Sequence, residues 1–465
     1  MKGFKTIRWR NDGPRANPIV FLKNSSIFEI IFNIENYSIM NEKIDITFEQ
    51  IRRYNTWEGP FAQTGYERTN FLEKITKYID TRLVKVLVGQ RRAGKSYLLR
   101  QIMNILISEK GVNPKNLFFV NKEFTAFDDI RTASDLEELF TYYRTELKVE
   151  GKTYLFLDEV QNIEAWETFV NSYSQDFIED YDLFVTGSNS NLLSGELATL
   201  LSGRYVEFEI LPFGYSEYIQ VKELPAGKES FLEYLQTGGL PELFHLNSEE
   251  LRRNYLLSLK NTVILRDILD RHKIKDLPLL EELFKFLAIN VGNLTSISSI
   301  INYFKSKQKK TNYETVSSYV RFLSDTFIFH QAERYNVRGK QVLGGACKYY
   351  LNDLAFKNLL FGVLPTDIGY NLENYVYLQL RRVGYEVQVG ILNNLEIDFV
   401  AQKSDRIIYV QVCYLLSNEK VVAREFGNLL QIKDNHEKYV VSLDDVKFSN
   451  YEGIIHLHPW ELMNI

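Results

Sequence analysis

At 465 residues the chain is too long for one compact core, and two to four domains of roughly 100–200 residues each are expected. Composition is that of a globular protein, 45% apolar and 25% charged, and a net charge of −5 excludes a global basic field for nucleic acid. Two cysteines without a CxxC pair exclude a cysteine-rich zinc module or disulfide framework and fit a reducing, cytoplasmic setting, and the lack of any run of ~18 apolar residues predicts no membrane span.

Residues 1–49 read as an N-terminal extension. Their start does not look like a signal peptide, because "NDGPRANP" follows the basic residues where an apolar run would be needed. Met40 is an alternative natural start. Residues 82–88 (RLVKVLV) then predict a short buried strand. Gly89, Gln90, Arg91, Arg92, Ala93, Gly94, Lys95 and Ser96 match G-x-x-x-x-G-K-[ST] in full. Glycines let backbone N–H groups wrap phosphates, Lys95 neutralises them, and the Ser96 hydroxyl ligates Mg²⁺. "SYLLRQIMNILISEKG" supplies the helix that follows.

"TYLFLDEVQ" (153–161) is a buried strand running into two acids. Asp158 is placed to hold the Mg²⁺ shell and Glu159 to polarise the attacking water of ATP hydrolysis. The adjacent Glu favours the branch of these folds with an extra central strand. A further strand, "YDLFVTGSNS" (181–190), would lie between the other two. Its tip, Ser188 and Asn189, reads as a phosphate or water sensor and equally as a helix N-cap. Arg204 follows a helix expected over 191–201. It stands either as an arginine finger for a neighbouring subunit or as a cation on a helix C-terminus.

The pattern "GQRRAGKS … LFLDEVQ … TGSNSNLL … SGRY … LPF … GGLPE" resembles the bacterial and archaeal AAA-type ATPases that carry a C-terminal domain of unknown function, DUF4143. The resemblance covers about residues 50–465. It implies an α/β P-loop NTPase core over 50–212 that takes ATP and Mg²⁺, with a helical lid over 213–277. Arg266 of "VILRDIL" is then either a sensor arginine or half of a surface ion pair with Asp270.

Residues 278–355 predict three helices and a hairpin, the order of a winged helix-turn-helix, which the resemblance also implies. The joining segment "NVRGKQVLGGA" is expected as a basic loop. Between 301 and 350, Lys305, Lys307, Lys309, Lys310, Arg321, Arg334, Arg338, Lys340 and Lys348 outweigh Glu314, Asp325 and Glu333. Such a patch suits DNA, although these modules also dock proteins.

Residues 356–465 predict helix, strand, strand, strand, helix, strand, an order that resembles the PD-(D/E)xK nuclease core. Glu373 and Asp398 fit its acids and Glu396 lies on the same strand face, but Gln411-Val412-Cys413 stands where Glu-x-Lys belongs. An inactive nuclease fold is expected, with Glu396 as a substitute ligand in the competing reading, and Cys413 reads as packing. Three outputs stay open: a nucleotide switch docking DNA or a protein, an ATP-driven nuclease, and a scaffold with slow turnover. A homo-oligomer is open as well.

Overall fold

The computed structural model describes residues 44–465 except 194–199, 202, 363, 365, 366, 449, 450 and 465. Met40 and most of the helix expected over 191–201 fall outside these. Residues 44–50 are helical and belong to one unit, residues 1–50, while residues 51–465 form a second compact unit.

That second unit opens with helix α1 (Thr69–Ile75) and a sheet of five parallel strands: β1 (Val84–Val88), β2 (Leu117–Asn121), β3 (Thr153–Asp158), β4 (Tyr181–Gly187) and β5 (Tyr205–Glu209). Helices α2 (Lys95–Ser108), α3 (Ala133–Glu146) and α4 (Trp166–Ser174) connect the first four. Crossover helices cover both faces of such a sheet, so β1 to β4 are buried throughout and read as unbroken apolar runs. The order is β2-β3-β4-β1-β5. Strand β4 thus lies between β1 and β3, the extra central strand that the adjacent acids pointed to.

Beyond the sheet come α5 (Tyr215–Lys222), α6 (Lys228–Thr237) and α7 (Glu249–Thr262), the last continued by a π-helical turn over Val263–Leu269. Helices α8 (Leu277–Ile289), α9 (Ile297–Ser306) and α10 (Tyr313–Asp325) precede the hairpin β6 (Phe329–Asn336) and β7 (Gln341–Leu351). Three side-chain caps (Asp276, Ser296 and Asn312) start those helices. The loop expected between the strands is mostly strand: β7 begins at Gln341, and the turn shrinks to four residues, 337–340.

Helices α11 (Ala355–Phe361) and α12 (Ile368–Arg382) lead into β8 (Glu386–Leu392), β9 (Leu395–Lys403) and β10 (Arg406–Val412). Then come α13 (Glu419–Leu430), β11 (Glu437–Val441) and β12 (Ile455–Leu457). These strands form one sheet with the hairpin, ordered β12-β11-β10-β9-β8-β6-β7, with β6 parallel to β8. A single apolar core runs from Tyr215 to Leu462. The segments 213–277, 278–355 and 356–465, separated in the sequence reading, therefore share one interior. Local periodicity does not report which strand edges meet.

Beneath the first sheet lies an ion pair with both members fully buried. Lys85 Nζ donates to Asp182 Oδ1 and, at 3.1 Å, to Thr81 O, and Asp182 Oδ2 accepts from Asp80 N at 2.7 Å. Removing one member strands the other. Lys85→Met is expected to cost about 3–5 kcal/mol. The double variant with Asp182→Leu should recover most of it. Urea unfolding of the wild type and both variants checks this, and equal midpoints for wild type and Lys85→Met would contradict it.

Candidate functional site

The turn after β1 is built on close backbone packing. A Cβ at Gly89 would sit 2.4 Å from Ile210 O, and Gly94 has φ of +99°, so both positions require glycine. Lys95 then opens α2. Its Nζ donates to Gly89 O at 2.9 Å and Gln90 O at 3.2 Å, and it lies 3.6 Å from Glu159 Oε1. These acceptors hold the ammonium over the mouth of the turn, where an incoming phosphate would compete for it.

Asp158 and Glu159 stand at the end of β3, both buried. Asn121 Nδ2 donates to Asp158 Oδ2 at 2.6 Å, Thr186 Oγ1 donates to Oδ1, and the Ser96 side chain also bonds this carboxyl. Burial first, and then the charge of Glu159, push its pKa up to about 6. For Glu159 burial acts upward too, but the charges of Lys95 and Arg91 outweigh it and hold the carboxyl below its usual value. Glu159 occupies the left-handed region with φ of +55°. Such strain in a non-glycine residue is a mark of functional sites. Gln161 Nε2 and Ser188 Oγ, the latter at 3.0 Å, both donate to its Oε2. Asn189 is buried beside them at the tip of β4.

A cavity of about 290 Å³ opens here. It is lined by Arg91, Arg92, Gly94, Lys95, Ser96, Tyr97 and Arg100, with Asn121, Glu123, Phe124 and Glu159 opposite. Pro241 and Glu242 complete the rim. That rim explains "GGLPE". A Cβ on Gly238 would lie 2.0 Å from Asp353 Oδ1, and one on Gly239 2.0 Å from Phe213 O. Asp353 Oδ2 accepts from Gly239 N at 2.8 Å. The end of β7 therefore sets a loop at the cavity, a link that no local pattern announces.

Arg91 turns out to be the bridge to the helices beyond. Its guanidinium meets Asp267 in two bonds, Nε to Oδ2 at 3.1 Å and Nη2 to Oδ1 at 2.9 Å, and Nη1 pairs with Glu123. Asp267 belongs to the π-helical turn and is buried. Its neighbour Arg266 is exposed, lining an adjoining cavity with Arg91, Arg92 and Tyr255. No ion pair between Arg266 and Asp270 forms among the described residues. In "VILRDIL" it is Asp267, one place further on, that bonds the phosphate turn directly.

Arg204 lies elsewhere. It precedes β5 at the edge of the sheet opposite the turn, exposed, its carbonyl accepting from Val84 N at 2.9 Å. It therefore contributes nothing to the cavity of its own chain.

In the C-terminal sheet, Glu373 on α12 and Glu396 and Asp398 on β9 do converge, with Gln411 Oε1 accepting from Asp398 N at 3.4 Å. Cys413 is buried, and burial pushes its thiol pKa up, which fits packing. One expectation is overturned. Lys348, counted above in the basic patch, is buried among these acids.

A family model described as an AAA domain matches residues 81–219, and one described as a domain of unknown function, DUF8612, matches residues 228–367. The sequence resemblance named DUF4143 for the C-terminal part instead, and the DUF8612 match ends before α12. A Haemophilus influenzae protein, itself uncharacterised, is 35% identical over 401 residues, 85% of this chain and 98% of its own length. An uncharacterised Methanocaldococcus jannaschii protein is 28% identical over 383 residues, 79% of this chain and 80% of that one. Among solved structures, a Walker-type ATPase of Pyrococcus abyssi is similar at a TM-score of 0.44 and 16% identity, covering 63% of this chain and 95% of that one.

The raised carboxyl of Asp158 has a measurable consequence. Only its ionised form attracts a cation, so any divalent-ion affinity that Asp158 contributes is expected to be full above about pH 7. It falls as pH drops through about 6, by up to about tenfold per unit. Fluorescent-nucleotide titrations from pH 8 to 5 check this, with Asp158→Asn as the reference for the nucleotide's own titration. Identical pH profiles for both proteins would contradict it.

Proposed function

The chain belongs to the same family as the Haemophilus influenzae protein and carries an AAA-type P-loop ATPase domain, and from that premise we propose that it is a nucleotide-driven switch that hydrolyses ATP. The observation that carries the reading is the convergence of Lys95, Ser96 and Glu159 on one cavity, with Asp158 bonded to Ser96 behind it, where later parts of the chain also form the rim.

In this reading the turn of residues 89–96 wraps the phosphates, and Lys95 leaves its carbonyl acceptors to neutralise them. Glu159, kept ionised chiefly by Lys95 and Arg91 and oriented by Gln161 and Ser188, accepts the proton of the attacking water as the water oxygen bonds the γ-phosphorus and the bond from that phosphorus to the leaving ADP oxygen breaks. Ser96 and Asp158 fit a hard divalent cation, a hydroxyl and a carboxylate bonded to each other beside the phosphate turn. Bound there, Mg²⁺ would neutralise phosphate charge.

Two contacts support a switch rather than a free-standing hydrolase. Arg91, in the phosphate turn, is bound to Asp267 of the helical region. Ser190, at the tip of β4, donates to Asp325 Oδ1 at the end of α10 at 2.9 Å. Phosphates arriving in the cavity would disturb both. Helices α8 to α10 with the β6–β7 hairpin we read as a winged helix, and the C-terminal sheet as a PD-(D/E)xK-like scaffold that docks rather than cuts.

Lys95→Ala is expected to abolish nucleotide binding. Glu159→Gln should keep binding and lose at least about 100-fold in turnover. Arg204→Ala should keep binding and lose turnover where copies assemble, since Arg204 faces away from its own cavity. Equilibrium binding, phosphate release and sizing with an ATP analogue read these out, and undiminished hydrolysis in the first two variants sinks the proposal.

The docking partner is read from charge. Lys305, Lys307, Lys310, Arg321, Arg338 and Lys340 are exposed, as is Tyr313 at the start of α10. Duplex DNA is expected to raise the ATPase rate at low salt, with a gain that fades as salt rises and disappears in Lys305→Glu/Lys310→Glu. A rate indifferent to DNA at every salt concentration would point to a protein partner instead.

A further inference from the structure

Three carboxylates meet one ammonium inside the C-terminal sheet. Lys348 Nζ, projecting from β7, lies 2.8 Å from Glu373 Oε1, 2.7 Å from Glu396 Oε1 and 3.9 Å from Asp398 Oδ1. Lys348 is 4% exposed. Burial alone would push the ammonium toward its neutral form, but the charges of Glu373, Asp398 and Glu396 outweigh it and keep it a cation.

The acids are also tied down from other directions. Tyr350, two residues along β7, donates to Glu373 Oε1 at 2.6 Å, and Val412 N donates to Asp398 Oδ2 at 2.7 Å. A divalent ion needs roughly six oxygens at about 2.0–2.6 Å with their lone pairs facing it. Here the space between Glu373 and Glu396 is taken by nitrogen, and two of the nearest oxygens already accept protein donors. Among the described residues no group of three or more His, Cys, Asp or Glu is arranged to hold a metal ion.

We propose that Lys348 is a tethered counter-cation standing where a divalent ion would sit among Glu373, Glu396 and Asp398, so that this acid cluster clasps β7 to α12 and β9 and takes up metal only when the ammonium is removed. Two cations cannot share the space, because a divalent ion a few ångströms from an ammonium in a buried site is strongly repelled. Take the ammonium away and the three acids, released to turn into the space it leaves, carry the charge that attracts Mn²⁺ or Mg²⁺. The lysine absent from position 413 is thus replaced by one arriving from another strand, in a place where it blocks the cation.

The test is Mn²⁺ binding to the nucleotide-free full chain, followed by electron paramagnetic resonance and by melting with and without the ion. Wild type is expected to show no Mn²⁺ site that depends on Glu373. Lys348→Met is expected to melt lower, to gain one Mn²⁺ per chain, and to recover melting temperature on adding it. Lys348→Met/Asp398→Asn should lose that gain. Lys348→Gln, which keeps a donor without the charge, is the second variant and should gain the same site if the methionine variant does not fold. Plasmid nicking with Mn²⁺ should be absent from wild type. The proposal is overturned if wild type binds Mn²⁺ through Glu373, if wild type nicks DNA and Lys348→Met does not, or if both single variants gain no ion or stay unfolded even in Mn²⁺.

Discussion

One buried carboxylate ties the first sheet to the elements that follow it. Glu217 on α5 accepts from Arg68 at 2.7 and 3.0 Å and from Gly214 N at 2.8 Å, with Arg382 of α12 lying 3.5 Å away. Each arginine then reaches further. Arg68 donates to Ala93 O in the phosphate turn at 3.0 Å and to Leu211 O just after β5 at 2.9 Å, while Arg382 donates to Pro212 O at 2.9 Å. Leaving any one of these charges unpaired in the interior would cost several kcal/mol. The turn, the segment just after the last strand of the first sheet and helix α12 are thus joined through one set of buried charges.

The same economy of means recurs around the cavity. Arg91 reaches Asp267, Ser190 reaches Asp325, and Asp353 holds the loop that brings Pro241 and Glu242 to the rim. Each is a short polar bond between residues far apart along the chain, one of them, Arg91, lining the cavity itself. Apolar packing in the large core sets where these elements lie. The polar bonds add direction, because they hold only at a defined distance and angle.

The phosphate turn and the two acids were legible because their chemistry is local: eight consecutive residues fold back on themselves, and one apolar strand ends in two carboxylates. The central position of β4 also followed from local evidence, the second acid. The helix starts at Ser296 and Asn312 rest on equally local contacts, since a cap bonds its own first turn. Arg68, Asp267 and Asp353 were not. Their partners lie 149, 176 and 114 residues away along the chain. Lys348 was misjudged for that reason too: a lysine in a basic stretch reads as solvated until a strand from another element carries it inside.

What the amino-acid order determined by itself is the chemistry available: a phosphate-binding turn, an acid pair, a run of helices with a hairpin, and a set of nuclease-like acids short of their lysine. Those depend on bonds within a turn or alternation within a strand. Only the tertiary structure decided how they are used. Edge pairing of β6 with β8 joined two expected modules into one sheet, and that sheet delivered Lys348 to the acids. The physical reason is that strand edges and buried charges find partners by position in space, and position is set by the packing of the whole chain.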